Sequence, residues 1–275
     1  MNRNDFSSKL REATNRNGSR LVLALDYSDV FLRSERDLWK VKKEKLLKKT
    51  VETLENTAEH LAAVKINMQL ILPLGLFNDL QRIVDKVEEY KLPLIADCKL
   101  NDVGHTNLWI TQHIFNAGFD AIIANPFVGW EGGLDTVFEE ARKRGKGVIL
   151  LVYMSHPAAQ EGYGQIVLTN EGEKPQYVIF AEKALKWKAN GVVVGATRLM
   201  IVKRVKDILG GTIPIFSPGI GVQGGRIEEA FKSGVNYAIV GRTILNSPDP
   251  GKTAKNLKET INDVLRSLGE EKSAG

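Results

Sequence analysis

The stretch Leu92-Pro93-Leu94-Ile95-Ala96-Asp97-Cys98-Lys99-Leu100-Asn101-Asp102 runs from an apolar segment straight into an Asp-x-Lys-x-x-Asp cluster. The apolar part, 92–96, reads as a short buried strand. Side chains alternate along a strand, so Asp97 and Lys99 share one face while Cys98 points to the other. Charges of alternating sign therefore meet where a buried strand ends, a setting that is costly unless each is paired or used. A solvated strand end would scatter such residues, so the cluster marks a place for chemistry.

Similar short runs recur along the chain at 21–25, 63–66, 92–96, 121–124, 147–152, 191–194, 213–216 and 237–240. Helical patterns lie between them, at 76–90, 108–117, 134–143, 177–188, 227–233 and 253–268. Eight strands alternating with helices over 275 residues predict a (β/α)8 TIM barrel in a single domain, 1–275, with 1–19 as an N-terminal extension. A doubly wound open sheet is the competing arrangement. No Gly/Pro/Ser-rich linker divides the chain. Two segments look inserted, 27–39 after the first strand and 158–175 after the fifth. Gly162, Gly164, Gly172 and Pro175 make the second a flexible loop placed to act as an active-site lid.

Composition narrows the function classes. Hydrophobic residues make up 43% and charged residues 26%, as in a soluble globular protein. The formal net charge of +5 suits an anionic ligand without demanding one. Lys40, Lys42, Lys43, Lys45, Lys48 and Lys49 crowd one segment, but Leu47, Val51, Leu54, Ala58 and Leu61 beside them follow helical spacing. The lysines are the solvated face of that helix, and without interleaved aromatics the run predicts no nucleic-acid surface. One cysteine excludes an internal disulfide, and His60, His105, His113 and His156 match no zinc spacing, so no metal site is expected. Cys98 reads as a small buried apolar residue rather than a nucleophile. No run approaches the roughly 20 apolar residues of a membrane span, and the polar start lacks a signal-peptide core. A cytoplasmic protein with no membrane partner is expected.

In a barrel the active site forms at the carboxyl ends of the strands. Taken strand by strand, that rim collects Asp26, Lys65, Asp97, Lys99, Asp102, Met154-Ser155-His156-Pro157, Ser217-Pro218-Gly219 with Gln223, and Gly241-Arg242. The last two strand ends form a phosphate cradle: glycines let backbone N–H groups approach an anion, Arg242 donates a bidentate pair of hydrogen bonds and Gln223 a neutral one. Lys65, Asp97, Lys99 and Asp102 suggest an alternating array in which each ammonium holds its neighbouring carboxylate ionised. Lys99, fixed there, has the placement of a general acid, and Asp97 is placed to press against a substrate anion. The plainer alternative is a structural ion-pair network at a barrel rim. His156, followed by Pro157, is read as a loop-shaping residue.

The residues Leu23-Ala24-Leu25-Asp26, Val64-Lys65, Asp97-Cys98-Lys99-Leu100-Asn101-Asp102, Thr106-Asn107, Met154-Ser155-His156-Pro157, Ser217-Pro218-Gly219-Ile220-Gly221 with Gln223, and Val240-Gly241-Arg242 resemble the orotidine 5′-phosphate decarboxylase family, in family order from first strand to eighth. The resemblance implies conversion of orotidine 5′-monophosphate to uridine 5′-monophosphate in pyrimidine biosynthesis, with no metal or organic cofactor. It implies that Lys99 protonates carbon 6 as carbon dioxide leaves and that Asp97 stands against the departing carboxylate. Lys65 and Asp26 would hold ribose hydroxyls, Ser155 the pyrimidine edge, and Pro218, Gln223, Gly241 and Arg242 would line the phosphate end. It further implies a homodimer in which Asp102 and Thr106 reach the partner's site. The family motif usually continues Ile-Pro. Here Val103-Gly104-His105 follows, and the glycine predicts a looser turn. No phosphoribosyltransferase pattern flanks the barrel, which predicts a stand-alone decarboxylase. A magnesium-dependent sugar-phosphate lyase or synthase of the hexulose-phosphate synthase type, and a non-catalytic nucleotide-binding barrel, are the alternative readings.

Overall fold

Eight strands close into a barrel, every neighbouring pair parallel. The structure, a computed structural model, describes residues 5–220 and 224–273. Its strands are β1 (Leu21–Leu25), β2 (Ala63–Asn67), β3 (Leu94–Leu100), β4 (Ala121–Ala124), β5 (Gly147–Tyr153), β6 (Ile166–Thr169), β7 (Gly172–Pro175), β8 (Gly191–Val194), β9 (Ile215–Pro218) and β10 (Tyr237–Val240). The helices of the first half are α1 (Phe6–Asn17), α2 (Trp39–Thr57), α3 (Met68–Leu74), α4 (Gln81–Glu89), α5 (Gly104–Asn116) and α6 (Asp135–Arg144). Those of the second are α7 (Ala159–Gly162), α8 (Gln176–Trp187), α9 (Leu199–Leu209), α10 (Gly224–Ser233), α11 (Arg242–Leu245) and α12 (Pro250–Ser273). The barrel order is β1-β10-β9-β8-β5-β4-β3-β2, and the (β/α)8 expectation holds. No helix among the described residues is long and apolar enough to cross a membrane.

Strands covered on both faces carry unbroken apolar runs rather than alternation. Ala121-Ile122-Ile123-Ala124 and Gly191-Val192-Val193-Val194 are buried throughout. Glycines at two strand starts make room for aromatic plugs. A Cβ on Gly147 would stand 2.3 Å from the Phe6 ring, and one on Gly191 would stand 2.6 Å from Phe216, which stacks on Tyr237.

Several expectations shift. The third strand begins two residues later than 92 because Pro93 has no N–H for the ladder, although its carbonyl accepts from Val64 N–H. It also runs on through Asp97 and Lys99, so the charges lie inside the strand rather than beyond it. The seventh barrel strand slides from 213–216 to Ile215–Pro218. The helix expected over 76–90 begins only at Gln81: Gly75 at φ +74° and non-helical Phe77 and Asn78 break the chain between α3 and α4. The helix carrying Leu47 and Leu54 ends at Thr57, and Ala58 and Leu61 are buried beyond its end.

Residues 1–19, expected as an extension, contain a helix built into the barrel. Phe6, Leu10 and Ala13 of α1 are buried, Phe6 N–H donates to Gly145 C=O, and Lys9 pairs with Asp120 at 2.6 Å. Residues 158–175 are not a featureless loop either. They form α7 and the antiparallel β6–β7 hairpin, with Ile166 opposite Pro175 and Thr169 opposite Gly172.

Candidate active site

Three of the four residues expected to form the charged array do so. Lys65 Nζ lies 2.7 Å from Asp97 Oδ2 and 3.2 Å from Asp26 Oδ1, and Lys99 Nζ lies 2.6 Å from Asp97 Oδ1. β2 and β3 set the register, with Asn67 opposite Asp97 and Lys65 opposite Ile95. Lys65 therefore reaches forward to Asp97 and, from the other side, to the Asp26 that follows β1. Gln69 holds Asp26 by donating from Nε2 to its carbonyl.

Asp97 is only 8% exposed. Burial alone would raise its carboxyl pKa, but the Lys65 and Lys99 ammoniums outweigh that and hold it below the usual carboxylate range. Lys99 reaches its partner from an unusual backbone: its φ is +49°. The β3–β4 register shifts between Ala96 and Leu100, and that irregularity re-aims the Lys99 side chain toward the barrel axis. Cys98 faces away, its Sγ 3.8 Å from Ile123 C=O. Burial and the adjacent Asp97 charge push its thiol up to about 12, so it is an inert packing residue as expected.

The array forms one wall of a cavity of about 320 Å³. Ala24, Ile123, Leu151, Met154, Val193 and Ile239 form its apolar lining, and Asp26, Asn67, Ser155, His156, Pro218, Gly219, Gly241 and Arg242 supply the rest of the rim. Gly241 matters sterically: a Cβ there would stand 3.2 Å from Asp26 Oδ2 and 3.3 Å from Ala24 C=O. Among the described residues no carboxylate pairs with Arg242, whose guanidinium is exposed and available to an anion. Gly219 has φ +90°, a conformation glycine adopts without strain. Ser155 is held from behind, where Thr197 Oγ1 donates to its carbonyl and Gly195 leaves no room for a side chain. Gln223 lies outside the described residues.

Asp102 is the correction. It is exposed at the end of β3, does not line the cavity, and its carboxylate accepts from Val103 N–H instead of joining Lys65, Asp97 and Lys99. Three strand residues can converge on a barrel axis, but Asp102 lies in the turn beyond, where the chain swings outward into α5. Thr106, in the first turn of α5, is likewise outside the cavity. Nor is the turn loosened at Gly104. That residue is buried, and a Cβ on it would stand 3.1 Å from the Gly132 backbone.

One polar cavity residue was missed by sequence reasoning: Asn67, which ends β2 and caps α3. His156, placed on the rim by the sequence and read as shaping its loop, lines the cavity itself. The signal for Asn67 was its place directly after a strand and before a helix, at the carboxyl rim. Among the described residues no three His, Cys, Asp or Glu side chains are grouped to share a metal ion.

Comparison with known proteins agrees with the fold. An orotidine 5′-phosphate decarboxylase of Thermococcus kodakarensis is 37% identical over 248 residues, covering 90% of this chain and 99% of the relative. One from Methanosarcina mazei is 35% identical over 212 residues, covering 77% and 89%. Among solved structures, the orotidine 5′-phosphate decarboxylase of Pyrococcus horikoshii OT3 superposes with a TM-score of 0.69 at 32% identity, covering 88% of this chain and 98% of that one. The orotidine 5′-monophosphate decarboxylase of Methanocaldococcus jannaschii, complexed with the inhibitor BMP, gives a TM-score of 0.71 at 29% identity, covering 89% and 99%. With residues 19–257 matching it from before the first strand to beyond the eighth, this chain belongs to the orotidine 5′-phosphate decarboxylase / HUMPS family.

Proposed function

We propose that this protein decarboxylates orotidine 5′-monophosphate to uridine 5′-monophosphate, with Lys99 as the proton donor. The observation that carries the reading is the Lys65–Asp97–Lys99 array on one wall of a cavity whose rim also holds Arg242, with which no carboxylate pairs among the described residues. A nucleotide monophosphate has its anionic tail at one end and its reacting ring at the other, which suits that layout. The phosphate lies against Gly241, Arg242 and Pro218, near the ends of the last two barrel strands, and Gln223 joins them on the strength of the sequence motif alone. Lys65 and Asp26 hold the ribose hydroxyls and Ser155 the pyrimidine edge.

The chemistry then needs two things of β3. The bond between carbon 6 and the carboxylate breaks, carbon dioxide leaves, and the electron pair stays on carbon 6. Lys99 Nζ delivers a proton to that pair, completing the product. Asp97, kept ionised by its two ammoniums, faces the substrate carboxylate. Two carboxylates about 4 Å apart near a protein surface repel by about 4 kcal/mol, and the repulsion vanishes once neutral carbon dioxide forms. The proposed reaction calls on no metal or organic cofactor.

Asp102 and Thr106, outside this chain's own cavity, act in the site of a second copy. Exposure of the segment supports a homodimer: Val103 is 63% exposed and Trp109, further along α5, 52%. Residues 158–175 follow Ser155 and His156 directly in the chain and act as the lid.

The test is a decarboxylation assay on chelator-treated enzyme. Wild type is expected to release carbon dioxide, and Lys99→Ala to lower kcat by about a thousandfold or more while still binding uridine 5′-monophosphate. The family also includes the HUMPS type. Turnover only with magnesium and a pentulose or hexulose phosphate would overturn the decarboxylase reading in its favour.

A further inference from the structure

Asn107 is fully buried, one turn into α5, beneath a surface turn whose own side chains are exposed. Its Oδ1 accepts from Asp102 N–H at 3.3 Å, and its Nδ2 donates both to Asp102 C=O and, at 3.1 Å, to Gly133 C=O. A single side chain thus holds the N–H and the C=O of the same residue and ties both to the turn that precedes α6.

Local sequence explains why an amide is needed there. The residue before α5 is Val103, which makes no side-chain cap. The peptide groups at the helix entrance therefore need partners from elsewhere. Only an amide offers one acceptor and two donors at that reach. A carboxylate would face two carbonyl oxygens, and an alkyl group would leave all three backbone groups unsatisfied. A second tether acts on the same turn: Thr136 Oγ1 donates to Gly104 C=O at 2.9 Å, with Gly104 packed against the Gly132 backbone.

We infer that Asn107, aided by Thr136, is a positioning residue that locks the Asp102 backbone so that its carboxylate is presented outward in one place. A turn serving only to connect β3 to α5 would leave these peptide groups to water. This one is clamped from below while its acid remains exposed, which is the arrangement of a rigid arm meant for a second molecule. The inference rests on the proposed function above, in which Asp102 completes a neighbouring copy's site.

A double-mutant cycle in kcat/KM tests it, using wild type, Asn107→Ala, Asp102→Asn and the double variant, each checked for fold by circular dichroism. Each single change is expected to lower kcat/KM by about tenfold or more, and the double variant to fall within about twofold of Asp102→Asn alone. A merely structural role would give the same loss in both backgrounds, and that additivity would overturn the inference. Asn107→Asp should be as impaired as Asn107→Ala. Should Asn107→Ala not fold, Thr136→Val carries the same cycle: a loss of about threefold in wild type that disappears in Asp102→Asn supports the arm, and equal losses overturn it. Unimpaired Asp102→Asn with active wild type refutes the arm alone, whereas inactive wild type refutes the decarboxylase reading itself.

Discussion

Lys99 sits in the left-handed region, where a non-glycine residue stores of order 1–3 kcal/mol of backbone strain. Its ion pair with Asp97 and the β3–β4 irregularity hold it there. The sequence already placed Asp97 and Lys99 on one face and Cys98 on the other, because alternation depends on nothing beyond neighbouring residues. It could not place the bulge, which depends on how β4 pairs. Cys98 yields a prediction at this scale. A thiol near 12 is raised, so at pH 8 only about one molecule in ten thousand carries the thiolate. Native protein should therefore resist Ellman's reagent for as long as it stays folded, and denaturant should release one equivalent of thiol. Labelling of the native protein at the rate of a small-molecule thiol would show that the half-buried Cys98 thiol is not raised.

Elements were most legible where one interaction dominated. β1, β4, β8 and β10 occupy the expected residues, since short apolar runs have no other way to satisfy both burial and backbone hydrogen bonding. Segment 158–175 was harder: its glycines signal turns, but the pairing of Val167 with Lys174 across them is a contact between residues with no shared pattern. The hairpin leaves Leu168 81% and Ile166 62% exposed. Apolar side chains on a two-stranded sheet with no cover need a partner to be stable. If this hairpin closes over bound nucleotide, cleavage by a glutamate-specific protease after the exposed Glu171 and Glu173 should slow by about tenfold or more at saturating uridine 5′-monophosphate. Cleavage unchanged by nucleotide, followed on a gel against time, would exclude a lid at this position.

At the scale of the whole molecule, charge is paired at both ends of the barrel. Asp120 is buried below the sheet, where it binds Lys9 at 2.6 Å and Lys146 at 3.1 Å and accepts from Leu94 N–H at 3.0 Å. It joins α1 to the amino ends of β3 and β5, far along the chain from either lysine. Asp120→Ala should lower unfolding free energy by about 3 kcal/mol, measured by urea denaturation, because it strands two cations and one buried N–H. A change within about 0.5 kcal/mol would show that the helix docks by apolar packing alone. The sequence by itself determined the barrel, the order of its strands and the rim on which Asp26, Lys65, Asp97, Lys99, Ser155, Gly241 and Arg242 gather. These follow from local periodicity and the rule that parallel strands point their carboxyl ends one way. Only the tertiary structure decided that Asp102 leaves the array, that Asn107 clamps it, that Gly104 packs tightly and that α1 belongs to the barrel. The decisive contacts, Asn107 to Gly133, Gly104 to Gly132 and α1 to Asp120, join segments remote in sequence and are set by closure of the sheet rather than by the residues on either side.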